Sequence, residues 1–99
     1  MSITEATRTI YRMAEDKELA YARRHIDEAD KKIIDALEER MDVVVNEIKP
    51  LKKGGEEHDE RRVREVLETR VSMGSKLNAT FVRELFRLII RESERLQDK

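Results

Sequence analysis

The sequence predicts an all-α protein of three helices, long, short and medium, that form an intertwined homodimer. Three observations lead there. The 99 residues include one Pro and three Gly, while Glu, Arg, Lys, Leu, Ile and Ala, all compatible with helix, are abundant. Between Thr4 and Lys49 neither Gly nor Pro occurs, and apolar residues recur at helical spacing. A helix of that extent would be roughly 70 Å long at about 1.5 Å per residue, more than two shorter helices can cover. Its apolar stripe therefore needs a partner, and a chain this small buries a modest core unless it associates. Two long helices lying against each other across a two-fold axis is the simplest closed solution.

The long element carries Ile26, Ala29, Ile33, Leu37, Val44 and Ile48 as its apolar stripe, either as one helix or as two with a break near Asp16-Lys17-Glu18. Ser2 followed by Glu5 has the spacing of a capping box. Ile3, Ala6, Ile10 and Met13 read as an amphipathic extension over residues 1–20. Pro50 and Gly54-Gly55 interrupt the pattern, so Leu51 to His58 is expected to hold the first turn. A second helix is expected from about Asp59 to Met73, with Val63, Val66, Leu67 and Val71 as its apolar face and Gly74 as its stop. Asn78 is the expected N-cap of a third helix bearing Phe81, Val82, Leu85, Phe86, Ile89, Ile90 and Leu96. No repeat or low-complexity linker divides the chain, so residues 1–99 are read as one domain.

Composition excludes several kinds of function. A formal net charge of −1 with interspersed signs creates no general field for nucleic acid or anionic membrane. The chain lacks cysteine, so disulfides and thiolate chemistry are out. The start, Met1 to Glu5, lacks the basic and apolar blocks of a signal peptide, and no apolar run reaches membrane-spanning length. A cytoplasmic protein is the expectation. His25 and His58 sit in no metal-ligand spacing and read as solvated residues, and no metal is expected. Gly54-Gly55 reads as a turn, with no phosphate loop or nucleophile motif elsewhere. The chemistry left is a reaction that needs neither covalent catalysis nor a tuned acid and base. A pericyclic rearrangement fits, because fixed charged donors suffice to hold a reactive conformer and stabilise developing charge.

Two stretches carry a family resemblance. Arg23-Arg24-His25-Ile26-Asp27 through Asp30, then Ile33-Ile34, Leu37 and Glu39-Arg40, resembles the first-helix pattern of the all-helical chorismate mutases. Phe86-Arg87-Leu88-Ile89-Ile90-Arg91-Glu92-Ser93, ending at Gln97, is similar to their third-helix signature. With Asp59 to Arg62 the resemblance covers about residues 23 to 97, in the family's order and near its spacings. It implies a dimeric enzyme that needs no cofactor and takes chorismate, a small dicarboxylate, as substrate. It also implies that Arg23 and Arg40 bind the two carboxylates while Lys52 and Gln97 hydrogen-bond the ether oxygen whose bond breaks. Arg62, Asp59 and Ser93 would complete the pocket, with Ile90 as an apolar wall. These roles make physical sense. Guanidinium groups grip carboxylates bidentately, and a cation at the breaking ether oxygen stabilises the transition state more than the ground state.

Two positions depart from the family pattern. Counted from Arg40, the family's lysine falls on Leu51, and Lys52 is one residue late, a rotation of about 100° on a regular helix. A one-residue bulge before Pro50 would restore it; Lys52 is favoured, with Lys49 as the substitute. The second position is Val63, where typical members carry a Glu that contacts the substrate's ring hydroxyl. An Arg-Val pair is similar to relatives acting on isochorismate or 4-amino-4-deoxychorismate. The reading is a monofunctional chorismate mutase of aromatic amino-acid synthesis. The alternatives are an isochorismate-pyruvate lyase or aminodeoxychorismate mutase on the same scaffold, and a non-catalytic helical interaction module. Arg23 and Arg40 are seventeen residues apart, a rise of about 26 Å on one helix. They can meet one small substrate only if each site draws them from different subunits.

Overall fold

The structure is a computed structural model that describes residues 4–52 and 59–98, and among these every regular element is helical. Two compact units divide the chain, Met1–Glu38 and Glu39–Lys99. Helix α1 spans Glu5–Val43 and passes Asp16-Lys17-Glu18 without a break. It begins at Thr4, whose Oγ1 accepts from the Thr7 N–H at 3.2 Å while its carbonyl accepts from Arg8 N–H at 3.0 Å. One N–H that a helix start leaves without a partner is thereby satisfied. Ser2 of the expected capping box lies outside the described residues, and Thr4 occupies the capping position.

In the first unit no described residue is buried. Ile10, Tyr11, Leu19, Tyr21, Ile26 and Ile33 are 49–66% exposed, so the predicted stripe faces solvent in the single chain. Tyr21 and His25 meet edge to face with ring centroids 4.2 Å apart, and the Arg24 guanidinium lies 5.8 Å from the Tyr21 ring. His25 is exposed, as its sequence context suggested; His58 lies outside the described residues.

The second unit holds the core. After Val43 the chain runs through a π-helical turn, Val44–Ile48, in which Lys49 N–H donates to the Val44 carbonyl five residues back. The helix expected to run to about Lys49 thus ends in a wider turn, at the place where the sequence allowed a bulge before Pro50. Pro50 gives the physical reason: it has no N–H for the Asn46 carbonyl, and its ring would press on that carbonyl in a regular ladder. A single α-turn, α2 (Lys49–Leu51), follows, and Lys52 ends it with extended backbone, φ −84° and ψ 120°. Of the predicted turn, residues 53–58 lie outside the described residues.

Helix α3 covers Glu60–Met73 with Asp59 as its N-cap, and α4 covers Ala79–Gln97 with Asn78 as its N-cap, accepting from Phe81 N–H at 3.0 Å. Gly74 ends α3 in extended rather than left-handed backbone, φ −97° and ψ 133°. α4 packs on α3 and on the π-helical turn. Val44, Val66, Leu67, Val82 and Ile89 are buried there, and Phe81, placed by periodicity on the apolar face, remains 52% exposed. A two-pronged ion pair, Arg83 Nε to Glu68 Oε1 at 3.0 Å and the Arg83 amino group to Oε2 at 3.2 Å, ties α4 to α3 across the surface. The guanidinium holds the Glu68 carboxyl below its ordinary range, mainly through the hydrogen bond and then through charge. Among the described residues no helix is long and apolar enough to cross a membrane.

Candidate active site

A cavity of about 450 Å³ opens in the second unit, lined by the end of α1, the π-helical turn, the start of α3 and the last two turns of α4. Its volume suits one small organic molecule. Arg40 enters it from the last turn of α1. One of its terminal nitrogens donates to Ser93 Oγ at 2.5 Å, and Ser93 Oγ donates to the Ile89 carbonyl at 2.8 Å, with Met41 Sδ at 3.6 Å. Ser93 is 5% exposed, so this chain of bonds settles a buried hydroxyl and aims the guanidinium together. Burial lowers the Arg40 pKa first, and the charges of Arg70 and Arg62 lower it further. The group remains a cation, held where it is short of both water and counter-charge.

Asp59 lines the cavity and also builds it. Its Oδ1 accepts from Arg62 N–H at 3.2 Å, which fixes the first turn of α3 and sets Arg62 and Val63 on the rim. The Arg62 guanidinium bonds the Glu65 carboxylate one turn on. Lys52 also lines the cavity, at the point where the chain leaves α2. The π-helical turn has used one extra residue, so Lys52 stands where regular α-helix would have turned it about 100° away. Lys49 is not among the lining residues, and its Nζ donates to the Leu96 carbonyl at 3.3 Å. On α4, Ile90 supplies an apolar wall beside Val44, Ile48 and Val66, and Gln97 Nε2 donates to the Ser93 carbonyl at 3.3 Å.

Eight of the nine sequence-predicted site residues, Arg40, Lys52, Asp59, Arg62, Val63, Ile90, Ser93 and Gln97, thus line one cavity. The ninth, Arg23, is exposed and belongs to the other unit. Glu94 and Asp98 also line the cavity and were not picked out from sequence. Spacing could have found them, since Ile90, Glu94 and Asp98 recur every four residues on one face of α4. Arg70 was missed as well: nothing local marks a cation eight residues after Arg62 as a neighbour of Arg40. Electrostatically the cavity mixes the cations Arg40, Lys52 and Arg62 with the carboxylates of Asp59, Glu94 and Asp98. The Asp59 carboxylate already serves the α3 N-terminus.

In comparison with known proteins, the family described as chorismate mutase type II matches residues 22–98. Curated proteins and solved structures gave no match.

Proposed function

The chain belongs to the type II chorismate mutase family, and from that premise we propose that it converts chorismate to prephenate, in the cytoplasm, as a step of aromatic amino-acid synthesis. The observation that carries the reading is Arg40, a half-buried guanidinium at the cavity with no carboxylate partner among the described residues. A buried cation without counter-charge is costly, and an anionic ligand relieves it. Arg40 grips one substrate carboxylate in the fork geometry that guanidinium offers. Lys52 and Gln97 donate to the ether oxygen, Arg62 and Ser93 complete the polar wall, and Ile90 packs on the ring. Substrate held with its side chain folded over the ring needs no proton transfer and no covalent intermediate. One C–C bond forms as one C–O bond breaks. Charge grows on the ether oxygen as it does so, and donors already aimed there lower the barrier.

The second carboxylate is assigned to Arg23 of the partner subunit. Supporting a dimer, sixteen large apolar side chains stay exposed among the described residues against five buried, and α1 buries none. Exposed apolar side chains outnumbering the buried ones by this margin point to a further covering surface. In this reading residues 1–99 form one domain whose long helix is covered by a second copy, and residues 1–20 extend that helix beyond the family match.

Adding purified protein to chorismate should abolish its absorbance, with prephenate as product. No turnover of chorismate, isochorismate or 4-amino-4-deoxychorismate would leave the helical interaction module standing. Arg23→Ala and Arg40→Ala dimers should each be nearly inactive, yet unfolding and refolding them together should recover activity. In a mixed dimer one site regains both arginines, and random pairing then restores roughly a quarter of wild-type activity. No recovery under proven subunit exchange would refute shared sites.

Val63 favours a second reading. It lines the cavity where typical members of the family place a Glu toward the ring hydroxyl, which suits isochorismate-pyruvate lyase or 4-amino-4-deoxychorismate mutase activity. If chorismate is the substrate, Val63→Glu should fold and keep or sharpen discrimination for the hydroxyl, because an added partner favours the substrate that can bond it. Equal or better use of an analogue lacking the hydroxyl would place residue 63 outside the recognition of that group.

A further inference from the structure

Arg62, Val66 and Arg70 recur every four residues and so share one face of α3. Arg62 and Val66 line the cavity, and Arg70 stands one turn beyond it. Arg70 is half-buried, donates to Thr69 Oγ1 at 2.9 Å, and has no carboxylate partner among the described residues. Arg40 is in the same condition, bonded only to the Ser93 hydroxyl. Of the two cations that act on Arg40, Arg70 has the larger effect, ahead of Arg62. Two half-buried guanidiniums, Arg40 at the cavity and Arg70 one turn beyond it, therefore repel each other, and neither is paired with a carboxylate among the described residues.

We propose that Arg70 is a positioning residue for the dicarboxylate substrate: one turn beyond the cavity on the α3 face that carries Arg62 and Val66, it holds the Arg40 guanidinium toward the cavity and deepens the positive potential there. It does not touch the substrate. Its uncompensated charge raises the energy of the empty site, and an anion bound on Arg40 removes that penalty, so Arg70 acts on binding and little on the chemical step. The proposal rests on the cavity being the dicarboxylate site.

The test uses Arg70→Gln and Arg70→Lys in the full chain, with chorismate as substrate. Arg70→Gln should raise KM roughly five-fold, as loss of one partly screened charge at medium range implies, while kcat stays within about two-fold. The KM difference from wild type should shrink as salt is raised, because the effect is long-range. Without ligand, Arg70→Gln should melt no lower than wild type, since a repulsion has been removed. Arg70→Lys should restore KM. A purely structural arginine would behave otherwise, lowering Tm and kcat together. That outcome, or an unchanged KM in Arg70→Gln, or failure of Arg70→Lys to restore it, overturns the proposal. Absence of turnover by the wild-type protein overturns the function itself and this proposal with it; turnover with unaltered KM in Arg70→Gln overturns this proposal alone.

Discussion

Arg40→Ala should cut kcat/KM for chorismate by at least about 100-fold, a loss of roughly 3 kcal/mol in transition-state stabilisation, while helix content and melting temperature hold. The two halves of this expectation have separate causes. Activity should fall because Arg40, in the proposed site, would supply the charge-assisted contact to a carboxylate in the cavity it lines. The fold survives because its removal orphans nothing: Ser93 Oγ keeps its bond to the Ile89 carbonyl. Truncation also removes a cation that burial, Arg70 and Arg62 all disfavour, so the unliganded protein should, if anything, gain stability. Circular dichroism with thermal melting separates these effects from unfolding. Near-wild-type kinetics in Arg40→Ala would refute the assignment of the site.

Lys52→Ala should lower kcat about 100-fold with a much smaller change in KM, the mark of an interaction strongest when the ether bond is breaking. Lys49→Ala should leave turnover close to wild type, because its ammonium is engaged with the Leu96 carbonyl and is not at the cavity. A worse defect in Lys49→Ala would reverse the assignment. The π-helical turn provides a sharper test. Lys52 follows Arg40 by twelve residues, which on a regular helix leaves the two side chains about 120° apart, whereas eleven leave them about 20° apart. Deleting the exposed Asn46 from the Val44–Ile48 turn together with Pro50→Ala, which removes the cause of the wide turn, should let it relax to α-helix with the lysine still facing the cavity. The deletion variant should therefore keep a large part of its activity, although single-residue deletions inside helices ordinarily rotate everything downstream. Loss of activity as complete as in Lys52→Ala, in a folded protein, would show that the turn does not set the lysine's direction.

Local chemistry was enough to read the helices. Asp59 and Asn78 are short polar residues before apolar-periodic runs, and each caps the helix that follows. Pro50 signalled trouble in the ladder, which made a bulge before it an option from sequence. What periodicity left open was the covering surface. Ile26 and Ile33 belong to the stripe read as needing a partner and Phe81 to the expected apolar face, and in the single chain all three are more than half exposed, because spacing shows which residues share a face but cannot supply the surface that covers it.

The sequence by itself determined the all-helical class, the capped starts of α3 and α4, and membership of a family whose residues recur in order along the chain. Tertiary structure alone decided which side chains meet. Arg40 and Ser93 are 53 positions apart and bond directly; Lys49 is drawn to the Leu96 carbonyl 47 positions away; the charge of Arg70 lowers the Arg40 pKa. The physical reason is angular. Local propensity settles that a residue is helical, but the direction of its side chain depends on every residue of turn accumulated before it. One widened turn at Val44–Ile48 is worth about 100°, and only the packing of α4 against that turn shows where the angle points.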